Sequence, residues 1–171
     1  MVPDSTKSLW FAVYTAPRHE KSVSRHLQQR AIEHFLPLYK SRRKWKDGSK
    51  VELDLPLFPN YLFVRIDWKE RVRVLEAPGV VSFVTGVGGK PATLHEEAIA
   101  HLQSGLTLRG AEPHALLFEG QKARICAGPL TGLEGVVLRH KNSLRVVLTI
   151  EQIMRSYSIE VASDELELIS A

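Results

Sequence analysis

Pro56-Leu57-Phe58-Pro59-Asn60-Tyr61-Leu62-Phe63-Val64-Arg65-Ile66 is the stretch of this 171-residue chain whose reading decides the fold. Pro59 and Asn60 punctuate it, and the six residues from Tyr61 to Ile66 are aromatic and β-branched enough to read as one strand. Side chains alternate along a strand, so Tyr61, Phe63 and Arg65 share one face and Leu62, Val64 and Ile66 the other. The aliphatic face reads as core. The aromatic face admits two readings: core under a second layer, or rings with polar handles that pack onto a partner.

Upstream, Leu9 to Thr15 is apolar on both alternating faces, the pattern of a central strand. Pro17 fits the start of a helix running to about Arg30, with Val23, Leu27 and Ala31 as a narrow apolar stripe. Arg18, Lys21, Arg25 and Arg30 lie off that stripe or at its margin, as a solvated face or as phosphate contacts. A strand around Ile32 to Leu38 follows. Residues 38–55 then read as a basic β-hairpin: within the eleven residues 40–50, Lys40, Arg42, Arg43, Lys44, Lys46 and Lys50 stand against Asp47, and Asp47-Gly48 signals a two-residue type I′ turn. This ribbon, carrying Trp45, is either an edge protected by charge or an arm that touches nucleic acid or a polymerase.

Downstream, Asp67 looks like the N-cap of a short helix ending at Leu75. Ala77-Pro78-Gly79 breaks it, Val80 to Val84 is a strand with Phe83, and Leu94 to Leu102 is a helix. Gly86 to Pro91 lacks the outer Gly and the Ser or Thr of a phosphate loop and reads as a plain turn. These elements predict an α+β first domain, an antiparallel sheet with flanking helices and an inserted hairpin, over residues 1–104. Residues 105–117 read as a linker. Residues 118–171 hold five short runs, near 123–125, 135–139, 144–150, 157–161 and 165–168, which suit a small β-barrel.

Hydrophobic residues at 44% and charged residues at 25% describe a globular chain, and no apolar run reaches the roughly 20 residues a membrane span needs. Met1 to Ser8 lacks the features of a secretory signal, and the single Cys126 suits a reducing cytoplasm. Residues 1–108 hold 16 Lys and Arg against 11 Asp and Glu, whereas residues 109–171 hold 7 against 8. Attraction for phosphate therefore belongs to the first part, and the second must find protein partners by other means. The seven His lack metal-ligand spacing and acidic or Cys company, and no nucleophile motif occurs. No metal, no cofactor and no catalysis are expected.

Trp10-Phe11-Ala12-Val13-Tyr14-Thr15-Ala16-Pro17-Arg18-His19-Glu20-Lys21, Phe35-Leu36-Pro37, the run from Pro56 to Val64, and Pro78-Gly79-Val80-Val81-Ser82-Phe83-Val84 resemble the N-terminal (NGN) domain of the NusG family of transcription elongation factors. Gly120 to Pro129, then Gly132-Leu133-Glu134-Gly135-Val136-Val137, resembles that family's KOW module, an SH3-like barrel. The likeness covers nearly the whole chain in family order. It implies that the first domain binds RNA polymerase by seating the tip of its clamp helices on an apolar depression at Tyr61, Phe63 and Phe83. It also implies contact with non-template DNA in the transcription bubble; Arg18, Arg25, His26, Arg71 and Arg73 are the candidates, chosen partly by charge. The KOW module would recruit Rho or a small-subunit ribosomal protein, with Ile153, Met154 and Arg155 as partner-binding residues.

Two positions depart from family patterns. The family's partner loop carries an apolar residue, Gly, then Arg, and Met154 stands here in place of the Gly. An RfaH-like branch uses His-Thr-Thr to reach the opposite polymerase pincer, where this chain has Arg71-Val72-Arg73-Val74. That branch also masks its polymerase site with a helical second domain, whereas the Val- and Ile-rich run from 136 to 150 favours a barrel. The resemblance implies a non-enzymatic, monomeric, cytoplasmic factor of the specialised kind that serves particular operons, modulating pausing, elongation, termination and antitermination without contact to membranes. The alternative is a ribosome- or RNA-associated KOW protein working in translation.

Overall fold

The computed structural model describes residues 7–114, 121–140 and 143–169. The first elements are β1 (Leu9–Thr15), α1 (Glu20–Gln29), β2 (Glu33–Phe35), β3 (Leu38–Lys44), β4 (Lys50–Pro56), β5 (Tyr61–Ile66), α2 (Arg71–Leu75), β6 (Val80–Phe83), β7 (Thr93–Leu94) and α3 (Glu96–Leu108). After them come β8 (Glu112–His114), β9 (Gln121–Ile125), β10 (Glu134–His140), β11 (Ser143–Ile150), β12 (Arg155–Val161) and β13 (Leu166–Leu168). The chain forms two compact units, Met1–Pro37 with Phe58–Ile99, and Leu38–Leu57 with Ala100–Ala171.

The first unit is built on an antiparallel sheet of order β2-β5-β1-β6, with β7 also paired to β1. The apolar run of β1 is buried on both sides, as Trp10, Phe11, Ala12 and Val13 show. One face carries the core: Phe11, Val13, Leu62, Val64, Ile66 and Phe83 pack with Val23 and Leu27 of α1 and Val74 of α2. Asp67 caps the turn before α2, accepting from the Lys69 N–H at 3.0 Å.

The boundaries of α1 differ from the reading at both ends. Pro17 does not open the helix. It is the second residue of a type II turn, in which the His19 N–H donates to Ala16 O at 3.1 Å and Arg18 takes the left-handed φ of 63°. At the other end, Ala31 lies outside the helix, also left-handed at φ 53°. Ile32 N–H reaches Leu27 O at 3.0 Å and Ala31 N–H reaches Gln28 O at 3.0 Å, a Schellman closure in which Ile32 takes the apolar position expected of Ala31.

The hairpin reading holds for β3 and β4, which pair from Leu38↔Pro56 to Lys44↔Lys50 as a separate two-stranded sheet. Its turn is one residue longer than a type I′ turn. Trp45 N–H donates to Ser49 O at 2.8 Å and Gly48 N–H to Trp45 O at 2.9 Å, enclosing Lys46, Asp47 and Gly48. Gly48 supplies the φ of 87° that a three-residue loop needs after its type I turn.

The rest of the second unit is a six-stranded antiparallel sheet of order β13-β9-β10-β11-β12-β8. Its interior is apolar, with Ala123, Ile125, Val146, Leu148, Ile153 and Ile159 all buried. The five expected strands are β9 to β13. Gly135 has no room for a side chain: a Cβ would overlap Val147 O and lie 2.7 Å from Val146 Cγ1. The segment read as a linker is largely ordered, since α3 runs to Leu108 and β8 adds a strand against β12. Three contacts hold it. A Cβ at Gly105 would meet Ile159 Cγ2 at 3.1 Å, Arg109 makes a two-pronged bond to Glu165 at 2.7 and 2.6 Å, and Arg109 O accepts from Glu160 N–H at 3.0 Å. Buried Arg145 adds a fourth, donating to Gly110 O at 2.7 Å and to Ser158 Oγ and O at 3.0 Å each. Residues 115–117 of that segment, and 118–120 at the start of the KOW likeness, lie outside the described residues.

Candidate partner-binding face

The strand that carries the candidate face is positioned by the turn before it. Tyr61 N–H donates to Phe58 O at 3.1 Å, closing a four-residue turn with Pro59 second and Asn60 third. Asn60 has φ 71°, so this is again a type II turn, and Pro-Asn is the pair its geometry favours. Two longer bonds fix it to the rest of the unit: Thr15 N–H donates to Asn60 O at 2.8 Å, and Asn60 N–H donates to Glu20 Oε1 at 2.8 Å. Glu20 opens α1 and is buried, a support of the turn that sequence reasoning missed. Its partner lies 40 positions away, so no local signal pointed to it.

On the sheet face opposite α1 and α2, Tyr14 and Tyr61 are direct cross-strand partners with ring centroids 5.3 Å apart at 67°. Both are half-buried. The next pair is Ala12↔Phe63, whose small member leaves space for the Phe63 ring. Phe63 is fully buried, stacked at 6.3 Å and 23° on half-buried Phe35 and met edge-on by Phe58 at 6.3 Å and 82°. Farther along β5, Arg65 lies 3.6 Å from Glu33 and 3.4 Å from Glu96, and Glu96 also accepts from Trp10 Nε1 at 3.2 Å. The arrangement is a set of partly open rings around a buried one, bordered by a mixed-charge cluster. Such a surface can take an apolar partner at its centre and fix its register at the charged border.

Phe83 does not join this face. It pairs with Val13, which also pairs with Leu62, and direct partners across strands point the same way. Its ring is therefore in the core on the helix side, 5.9 Å from Phe11 and 5.0 Å from Trp68, both edge-on, with 9% of its surface exposed. The expectation of three rings on one open surface is corrected to one open ring, Tyr61, one buried beneath it, Phe63, and one on the opposite side, Phe83. Alternation fixes faces within a strand but gives no phase between strands, and a register shift at Tyr14/Thr15 complicates the pairing with β6.

The basic candidates fall into two sets. Arg18 and Arg25 are exposed and His26 is half-buried, at and along α1. Arg71 and Arg73 are exposed on α2 but engaged: Arg71 donates to Trp68 O at 3.2 Å and lies 5.5 Å over its ring, and Arg73 donates to Glu70 Oε1 at 2.6 Å and to Arg30 O at 2.7 Å. In the second unit, Ile153, Met154 and Arg155 join β11 to β12. Ile153 is buried, while Met154 is 53% exposed and Arg155 is exposed. Met154 adopts φ 50° and ψ 48°, the left-handed conformation that a Gly would take without strain.

These features define a two-part protein: an α+β unit with a ring-bearing face, followed by a β-rich unit with an exposed loop. The family model described as transcription termination factor nusG matches residues 8–103, more than half of the chain. The chain belongs to the NusG family, and its role is that of a transcription factor. Transcription termination/antitermination protein NusG of Thermus thermophilus is 26% identical over 164 residues, covering 82% of this chain and 89% of that protein. The protein of the same name from Lactococcus lactis is 26% identical over 175 residues, covering 95% of this chain and 94% of its own length. A solved structure of domain interaction in Thermotoga maritima NusG covers 98% of this chain and 100% of that one, with a TM-score of 0.62 and 21% identity, and shows the shared fold.

Proposed function

We propose that this protein binds RNA polymerase through the face of Tyr14, Tyr61 and Phe35, with Phe63 as its floor, and modulates pausing, elongation and termination or antitermination without catalysis. The observation that carries the reading is the edge-to-face pair of half-buried tyrosines at 5.3 Å, on the side of the sheet away from α1 and α2. Tyrosine rings of this kind anchor partners because each supplies apolar area and a polar end at small entropic cost. A helical tip, such as the polymerase clamp helices, presents apolar side chains at the spacing such a face accepts. Phe83 contributes only by supporting the sheet from behind.

In this reading Arg18, Arg25, His26, Arg71 and Arg73 approach the non-template DNA, with Arg18 and Arg25 contributing most because Arg71 and Arg73 are already engaged. Met154 and Arg155, seated on buried Ile153, are the contact for Rho or a small-subunit ribosomal protein. The factor acts as a cytoplasmic monomer; no helix among the described residues is long and apolar enough to cross a membrane.

The test is retention on immobilised RNA polymerase. Tyr14→Ala with Tyr61→Ala should lose about tenfold or more in affinity, the loss expected of a truncated hot spot, while keeping its far-UV spectrum. Wild-type retention by that variant would refute the site. Capture of ribosomal RNA without polymerase would support the translational alternative.

A further inference from the structure

We propose that the tip of the β3–β4 hairpin is a binding site for single-stranded nucleic acid, with Trp45 as the ring on which an unpaired base stacks. This site is separate from the polymerase-binding face and does not rest on that reading.

Charge is sorted along the ribbon. Towards its base, Lys40 lies 3.0 Å from Glu52 and 3.3 Å from Asp54, and Arg42 lies 3.6 Å from Glu52, so the hairpin's two outer carboxylates are neutralised there. At the tip, Arg43, Lys44, Lys46 and Lys50 are all exposed, and none has an ion pair among the described residues. The single acid among them, Asp47, is exposed but bonded within the turn: its Oδ1 accepts from Ser49 N–H at 2.9 Å and from Ser49 Oγ–H at 2.6 Å. Those two bonds hold its carboxyl below the usual range and keep it charged as part of the loop. The tip thus carries four cations and one carboxylate, the latter already committed to the turn.

Trp45 lies between Lys44 and Lys46 in the chain, on the strand face it shares with Arg43, with 59% of its surface exposed and its backbone locked by the bond to Ser49 O. A protected edge needs only charge; it has no use for an exposed indole. Cations beside an open aromatic ring are the elements of a single-strand site, because phosphates supply charge and each unpaired base supplies a ring face. In a duplex, base faces are covered by their neighbours, so the indole would contribute nothing there. Both single-stranded DNA and single-stranded RNA offer this chemistry.

The experiment uses the full chain and fluorescein-labelled oligonucleotides of about 12 nucleotides, as single-stranded DNA, as RNA of the same sequence, and as duplex. Anisotropy is followed between about 50 and 200 mM salt. The wild type should prefer one or both single strands to the duplex, and the DNA and RNA arms identify which. Trp45→Ala should weaken single-strand binding about 5- to 150-fold with an unchanged salt slope, while Trp45→Phe keeps most of the affinity. Lys44→Ala with Lys46→Ala should reduce the slope by about 1.4, since each phosphate contact contributes about 0.7. Unchanged binding by Trp45→Ala, preference for the duplex, or equal displacement by polyglutamate would overturn the proposal.

Discussion

Replacing Phe63 by Ala separates the buried ring from the open one. Phe63 is fully buried between Phe35 and Phe58, so its truncation should cost about 3–5 kcal/mol, the range for a large-to-small change that leaves a cavity. Tyr61 is half-buried, and full burial of a large apolar side chain is worth about 1.5–3 kcal/mol, so Tyr61→Ala should cost about 1 kcal/mol. With a urea slope of about 1–1.5 kcal/mol per M for a unit of this size, the midpoints should fall by about 2–5 M and by about 1 M or less respectively. The assay is urea unfolding followed by tryptophan emission, because buried Trp10 and half-buried Trp68, the latter packed on Phe11 and Phe83, both report on this unit. Equal midpoints for the two variants, or a shift below about 0.5 M for Phe63→Ala, would refute the placement of Phe63 in the core. The same numbers explain why Phe63→Ala is a poor probe of binding: loss of affinity there would report unfolding.

Ala31→Gly should raise the stability of the first unit by up to about 1 kcal/mol, read as a higher urea midpoint, because it relieves a left-handed residue at the Schellman closure of α1; a lower midpoint would contradict that geometry. Gly135→Ala should abolish the folded β-rich unit, seen as lost dispersion of its amide NMR signals, since the new methyl meets a backbone oxygen that cannot move aside. The Arg109 guanidinium holds the Glu165 carboxyl below its ordinary 4.5, so the pair's stabilisation is complete above that pH and is lost as pH falls through the lowered value. Melting curves between pH 7 and pH 3 should therefore fall more steeply for the wild type than for Glu165→Gln, and parallel curves would contradict the pairing.

Much of the fold was legible because each clue was local. Alternation assigned the two faces of β5, the unbroken apolar run made β1 central, and the dense charges with Asp47-Gly48 announced the hairpin. What was missed depends on distance or on phase. Pro17 and Pro59 both sit second in type II turns, but only the chain's return past Asn60 shows why, through Glu20. The extra turn of α3 and strand β8 were hidden because residues 105–114 have no periodicity of their own; Gly105, Arg109 and Gly110 are ordered by partners 35 to 56 positions later. The facing of Tyr61 relative to Leu62 and Val64 was legible from alternation within one strand, whereas that of Phe83 was not, since facing between strands is set by pairing that no single strand reveals.

The central claim is that the surface around Tyr61 meets the polymerase. A photoactivated benzophenone side chain in place of Tyr61, in the otherwise intact chain, tests it most directly on a stalled elongation complex. The account predicts cross-links to the polymerase clamp helices, and none from the same group placed at Lys122 in the β-rich unit. Cross-links from position 61 to ribosomal components, or equal polymerase cross-linking from both positions, would contradict it.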